Sequence, residues 1–266
     1  MSNGFPELID TRAVRIAIDG WFNQIVIDYG EALEIAFLPV LRLLNAIEDG
    51  LLWMPWYLLI PIFAGIAWAA TRDWRMTAAV PVMLFLTGLF GLWEPAMATI
   101  ALMLTATLLA VLIGIPLGIL MSFSNRMQAA MLPVLDIMQT LPIFVYLIPF
   151  VMLFGPGKIP ALLATIVFAV PPVIRLTNLG IRQVPGDLIE AVSAFGATPT
   201  QKLFSVQLPL ALPTIMAGIN QTTMMALSMV VIASMIGAGG LGYQVLQGIQ
   251  RLEVSRGLLA GVGIVF

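Results

Sequence analysis

The chain has 266 residues, of which 60% are hydrophobic and only 10% charged, and its mean hydropathy is +1.02. That much apolar side chain cannot be hidden in one soluble core, because a domain of this size must still cover its surface with polar groups, so the chain reads as an integral membrane protein. The absence of Cys and His excludes disulfides, thiolate chemistry, imidazole bases and the usual metal ligands, and a net charge of −2 offers no basic surface for nucleic acid.

Residues 1–12 are mildly acidic and lack the apolar run of a cleavable signal, so the first spans are expected to be retained. Within 30–49, Leu33, Phe37, Val40, Leu44 and Ile47 fall on one helical face and Glu31, Glu34, Arg42, Asn45 and Asp49 on the other. That pattern suits a helix lying in the membrane interface, or one packed on the membrane domain or a partner subunit.

Crossing about 30 Å of hydrocarbon takes about 20 helical residues. Charge-free runs cover 50–71, 76–93, 95–125, 137–157, 159–174 and 203–250. With turn residues marking the breaks, they predict spans near 53–71, 77–93, 97–122, 130–154, 159–177 and 210–236, and the start of a seventh at 255–266. The expectation is an all-α, polytopic helical bundle of about 6–7 transmembrane helices. The seventh is expected to be truncated, since Leu258 to Phe266 would span only about 13 Å. Gly114 and Gly118 around Pro116 predict close helix packing and a kink.

Basic residues in short loops set the orientation. Arg72 and Arg75, then Arg126, then Arg175, Arg182 and Lys202 mark the cytoplasmic loops. Residues 1–52 then lie outside, with the short loops at Glu94, at Lys158 and at 237–254. The outer N-terminal segment holds Glu7, Asp10, Asp19, Asp28, Glu31, Glu34, Glu48 and Asp49 against three Arg. Asp136 is the only charge between Arg126 and Lys158. It is either a functional acid within a span or one half of an interfacial pair, with Arg126 as a partner.

The longest cytoplasmic segment, 182–209, reads as two short helices. Asp187 as N-cap with Glu190 three residues on predicts a helix to about Phe195. Gly196 suits the left-handed position beyond its end, and Thr198-Pro199 starts a second helix through Lys202 to Val206. Helix–Gly–helix across a membrane face presents a preformed surface to another protein, although a plain connector is the simpler alternative.

Glu190-Ala191, then Gly196, then Val206-Gln207-Leu208-Pro209 after nine residues, resembles the EAA loop of ABC-importer permease subunits, with Val192 and Val206 as small departures. The flanking text at 139–155, 167–185 and 213–242 resembles more narrowly the permeases of the glycine betaine/choline/proline uptake family. The resemblance covers about residues 95–266 and implies the bundle of a type I ABC importer permease. The chain would then divide into an N-terminal segment 1–52, two peripheral helices in 53–94 and a permease core in 95–266. Neither Lys lies in a G-x-x-x-x-G-K-[ST] sequence, so ATP and Mg would be handled by a separate ATPase subunit and no cofactor is expected in this chain.

The resemblance further implies that Glu190, Ala191, Gly196, Ala197 and Lys202 belong to the loop that docks on the ATPase and drives alternating access. One such loop per chain, serving two ATPase subunits, implies a homodimer. An extracytoplasmic substrate-binding protein and the bacterial inner membrane complete the setting. The solutes implied are glycine betaine, choline, proline betaine, carnitine or trimethylamine N-oxide. An ion-coupled secondary transporter or channel is the alternative, and it would call for midplane charges or inverted repeats.

At 100° per residue, Asn220, Thr223, Met224, Ser228 and Ser234 share a face with Gln221 at its edge. That face suits a route for a polar solute, or equally the polar glue between helices. Gly237, Gly239, Gly240 and Gly242 form an outer loop that contacts the binding protein, or a plain turn. All six Trp precede residue 95, and four of them lie at predicted span ends, where interfacial belts place them. Without Trp in the core, tight recognition of a quaternary ammonium is expected in the external binding protein, with Phe144, Tyr146, Phe150 or Tyr243 offering weak contacts.

Overall fold

The computed structural model describes residues 11–265, and over them every element is helical. Glu7, Asp10 and Phe266 lie outside the described residues. In chain order the helices are α1 (Thr11–Trp53), α2 (Trp56–Thr71), α3 (Trp74–Leu89), α4 (Trp93–Phe123), α5 (Asn125–Thr140), α6 (Ile143–Phe154), α7 (Lys158–Arg182), α8 (Gly186–Ala194), α9 (Pro199–Lys202), α10 (Leu208–Ala233), α11 (Gly240–Arg251) and α12 (Val254–Val265). A π-helical turn, Leu203–Gln207, leads into α10, and a kinked turn, Ser234–Ala238, follows it, with Ile236 and Gly237 leaving helical φ/ψ.

Three helical stretches are long and apolar enough to cross a membrane, namely α4, α7 and the run Pro199–Ala238 that contains α10. They form the core, with α7 packed between α4 and α10. Small residues let the backbones meet there, as the Gly114/Gly118 pair predicts: a Cβ on Gly118 would stand 2.6 Å from Thr177 Cβ and 2.7 Å from the Ile174 carbonyl oxygen. Thr105 and Thr165 are buried but donate to Ala101 O and Ala161 O, each at 2.7 Å, so neither hydroxyl is left unpaired.

Two helix pairs are long and apolar enough to cross only when taken together, and each is bent where its helices join. The predicted span 130–154 is broken into α5 and α6, which meet at 91°. The cause lies in Pro142, which has no N–H to offer the Met138 carbonyl one turn back. The Tyr146 hydroxyl donates to that carbonyl instead, satisfying a backbone group that lipid could not. The other bend, 111°, separates α1 from α2 at Met54-Pro55. Two shorter apolar helices, α3 and α12, complete the apolar elements.

The amphipathic segment 30–49 proves to be part of one 43-residue helix, α1. Its apolar face is seated on the bundle: Leu44 is fully buried, Val40 and Ile47 pack against the main core, and the Phe37 ring meets Phe154 edge-on at 5.6 Å. Of the two sequence readings, packing on the membrane domain is the one realised. Lys158 at the start of α7 pins this helix, bonding Glu48 at 2.6 Å and Asn45 at 3.3 Å.

Candidate coupling loop and transport path

At the end of α7 the chain leaves the core under the control of one side chain. Arg182 donates to Asn178 Oδ1 (3.0 Å), to Asn125 Oδ1 at the start of α5 (2.7 Å) and to the Met121 carbonyl near the end of α4 (3.1 Å). A cation on the last carbonyls of α4 also complements that helix's dipole. Three helix ends are thereby fixed relative to the loop that follows.

That loop is built as the sequence predicts, with two changes. Gly186–Ala194 is helical, but Pro185 occupies the N-cap position and no side chain caps the end. Asp187 sits inside the first turn instead of capping it, because Pro185 already supplies the extended entry. The helix closes in a Schellman motif: Gly196 at φ +80° donates to Ser193 O (2.9 Å), and Ala197 donates to Val192 O (3.3 Å). Thr198 and Gln201 then form a full capping box, Gln201 N–H donating to the Thr198 hydroxyl and Thr198 N–H to Gln201 Oε1 at 2.8 Å. Glu190 and Ala191 are exposed, Ala197 and Lys202 half-buried. Glu190 makes no ion pair within the described residues.

The second helix does not stop near Val206. It continues through the π turn Leu203–Gln207 into α10, so that Pro199–Ala238 is one run of 40 residues. Pro209 and Pro213 do not interrupt it. Pro209 follows the π turn, at the start of α10, and Pro213 lies inside α10. The loop surface that sequence reasoning passed over is apolar: the Phe195 side chain is 93% exposed, and Leu188 and Phe204 are exposed as well. A free-standing aromatic beside a glycine turn was the available signal.

On α10, Asn220, Met224 and Ser228 form an exposed row one turn apart, with Gln221 exposed beside them. Thr223 is half-buried and bonds back to Ile219 O at 2.9 Å. Ser234 does not join them: it is buried, lies beyond the end of the regular helix in the kinked turn, and bonds Val231 O against Gly242. The 100° count places its face correctly but cannot show that Gly242 packs against it.

The glycine turn 237–240 is fastened to the bundle. Gly237, Gly239 and Gly240 have positive φ, the Leu241 N–H donates to the Thr99 hydroxyl at 2.9 Å, and Gly242 is buried. Tyr146 is buried and edge-on to Phe168, so it is not available to a solute. Phe144 is exposed at 62% and Tyr243 at 37%, Phe150 is half-buried, and no aromatic contact joins these three. Among the described residues, no three of His, Cys, Asp and Glu come together as metal ligands. Asp136 pairs with Arg175, not Arg126, at 2.5 Å.

Residues 110–266 match the family model described as the binding-protein-dependent transport system inner membrane component. The chain is 52% identical over 254 residues to the glycine betaine/proline betaine transport system permease protein ProW of Escherichia coli (strain K12), spanning 94% of this chain and 72% of that protein. It is 43% identical over 249 residues to the glycine betaine transport system permease protein OpuAB of Bacillus subtilis (strain 168), spanning 93% and 88%. Among solved structures, a chain of the inward-facing MetNI methionine ABC transporter aligns with a TM-score of 0.56 at 25% identity, covering 65% of this chain and 88% of that one. Long core helices, a capped helix–glycine–helix loop and these matches agree: the chain belongs to the family of inner-membrane permease components of binding-protein-dependent transport systems.

Proposed function

We propose that this chain is the permease through which an ATP-driven importer moves glycine betaine, proline betaine or a related methylated amine into the cell. The observation that carries the reading is the loop 182–209, rigidly capped, held by Arg182, and presenting Phe195 and Leu188 to a partner. In this reading residues 95–266 form the translocating core, with 1–52 and 53–94 at its periphery and the N-terminus outside. Glu190, Ala191, Gly196, Ala197 and Lys202 dock on an ATPase subunit that holds ATP and Mg. Two copies of the chain, two ATPase subunits and an outer binding protein make the working complex, since each chain carries one loop. The exposed row Asn220, Met224 and Ser228, with Thr223 beside it, lines the path, while the fastened turn at Gly237, Gly239 and Gly240 faces the binding protein.

Reconstitution in liposomes with the ATPase and binding protein tests the reading. Uptake of labelled glycine betaine should require ATP, and Glu190→Ala combined with Gly196→Val should lower uptake at least tenfold while the chain still inserts. ATP-independent uptake, or full uptake by the double variant, would reject it. Mass measurement of the assembled complex should give two permease copies.

A further inference from the structure

The pair Asp136–Arg175 lies where charges are expensive. Arg175 is seven residues before the end of α7, about 10 Å into the span at 1.5 Å per residue. Asp136 stands on α5, just ahead of the Leu141-Pro142 bend. Asp136 is the one charge between Arg126 and Lys158, and Arg175 the one between Lys158 and Arg182; an ionised group within a span needs a partner or a water-filled cavity.

The two are joined by a single contact, Arg175 NH2 to Asp136 Oδ1 at 2.5 Å. The rest of each group is uncommitted. Arg175 Nε is enclosed and has no hydrogen-bond partner, although a guanidinium can present two parallel donors to a carboxylate. The Asp136 side chain is 62% exposed and that of Arg175 30%, so the pair opens outward from the chain. A structural clamp would use both edges; this one leaves a donor idle on one partner and an acceptor idle on the other.

We propose that Asp136 and Arg175 form a transient binding site for a zwitterion on the cytoplasmic half of the path; this rests on the permease reading above. The solute's carboxylate takes the solvent-facing N–H groups of the guanidinium, with the enclosed Nε left behind them, and its quaternary ammonium lies against the Asp136 carboxylate. A quaternary nitrogen has no N–H, so it needs only an open, negatively charged face, which the exposed side of Asp136 provides. One internal ion pair is exchanged for two external ones and no charge is left alone in a low-dielectric setting. A simple cation or anion would leave Arg175 or Asp136 unpaired. The site therefore selects molecules that carry both charges a few ångströms apart.

The test uses the assembled complex. Asp136→Asn combined with Arg175→Gln removes both charges together and leaves none unpaired. It should assemble in wild-type amounts yet take up glycine betaine at least tenfold more slowly, while Asp136→Glu combined with Arg175→Lys retains at least half the uptake. Full uptake by the neutral pair would overturn the proposal. A second measurement does not depend on uptake or on the folding of that variant. The chain has no native Cys, so Gln139→Cys, exposed one turn beyond Asp136, reports the site by its rate of maleimide labelling. In vesicles of phosphatidylglycerol alone, millimolar glycine betaine should slow labelling at least threefold, and tetramethylammonium or acetate should not. Equal rates with and without betaine, or protection only when phosphatidylethanolamine headgroups are supplied, would overturn it. Loss of wild-type uptake with protection intact would instead reject the permease reading and leave the zwitterion site standing.

Discussion

Helices α7 and α8 are separated by three residues and are opposites. The 25 residues of α7 include sixteen that are buried, whereas the nine of α8 include none. One is specified by contacts with its neighbours, the other by its own ends. In α7, small residues and prolines are fitted between α4 and α10, and volume decides what is tolerated. In the loop, Gly196 and the Thr198–Gln201 box fix the backbone locally, and the side chains are free to meet something else. Arg182 is the joint between the two regimes.

The largest expected effect breaks the first regime. Gly118→Leu places a Cβ against the Ile174 carbonyl, a backbone atom that cannot rotate away, and should destabilise the permease by about 3 kcal/mol or more. Size-exclusion profiles of heated, detergent-solubilised protein would show it. Gly186→Ala in α8, where a new Cβ meets nothing within 4 Å, should leave the same profile within about 0.5 kcal/mol of wild type.

Next, Phe195→Asp should leave thermal stability unchanged because the ring touches so little of its own chain. Co-purification of the ATPase subunit should fall at least tenfold. A stability loss with intact co-purification would erase the contrast between the two helices.

The smallest effect sharpens the comparison at the bend of α5 and α6. Tyr146→Phe frees the Met138 carbonyl and should cost about 1–2 kcal/mol, read as a lower melting midpoint with assembly preserved.

Much of this was legible because the controlling interactions are local. Gly196, Thr198-Pro199 and the apolar runs announce themselves within a few residues. Apart from the N-cap, which falls at Pro185 and not at Asp187, the misreadings involve distant partners or contacts between elements. Nothing near Asp136 in sequence names Arg175, 39 positions away. The break at Leu141-Pro142 lies inside an unbroken charge-free run, so composition could not find it, although Pro142 marked the place. Ser234 was misplaced because a helical wheel records a face but not that Gly242, eight residues on, closes over it. The choice between the two readings of 30–49 depended on whether α4 and α6 leave a seat for Leu44 and Phe37, which no local pattern records.

The π turn at Leu203–Gln207 acts as a phase setting. It holds one residue more than an α-turn of the same rise, so it fixes the angle at which the loop 182–202 emerges relative to the row on α10. Deleting one residue there would leave both flanking helices intact yet turn the loop about 100° around the axis of the span. Orientation of the docking surface is thus stored in a residue count, and neighbouring point substitutions would leave it unchanged where a single-codon deletion would not.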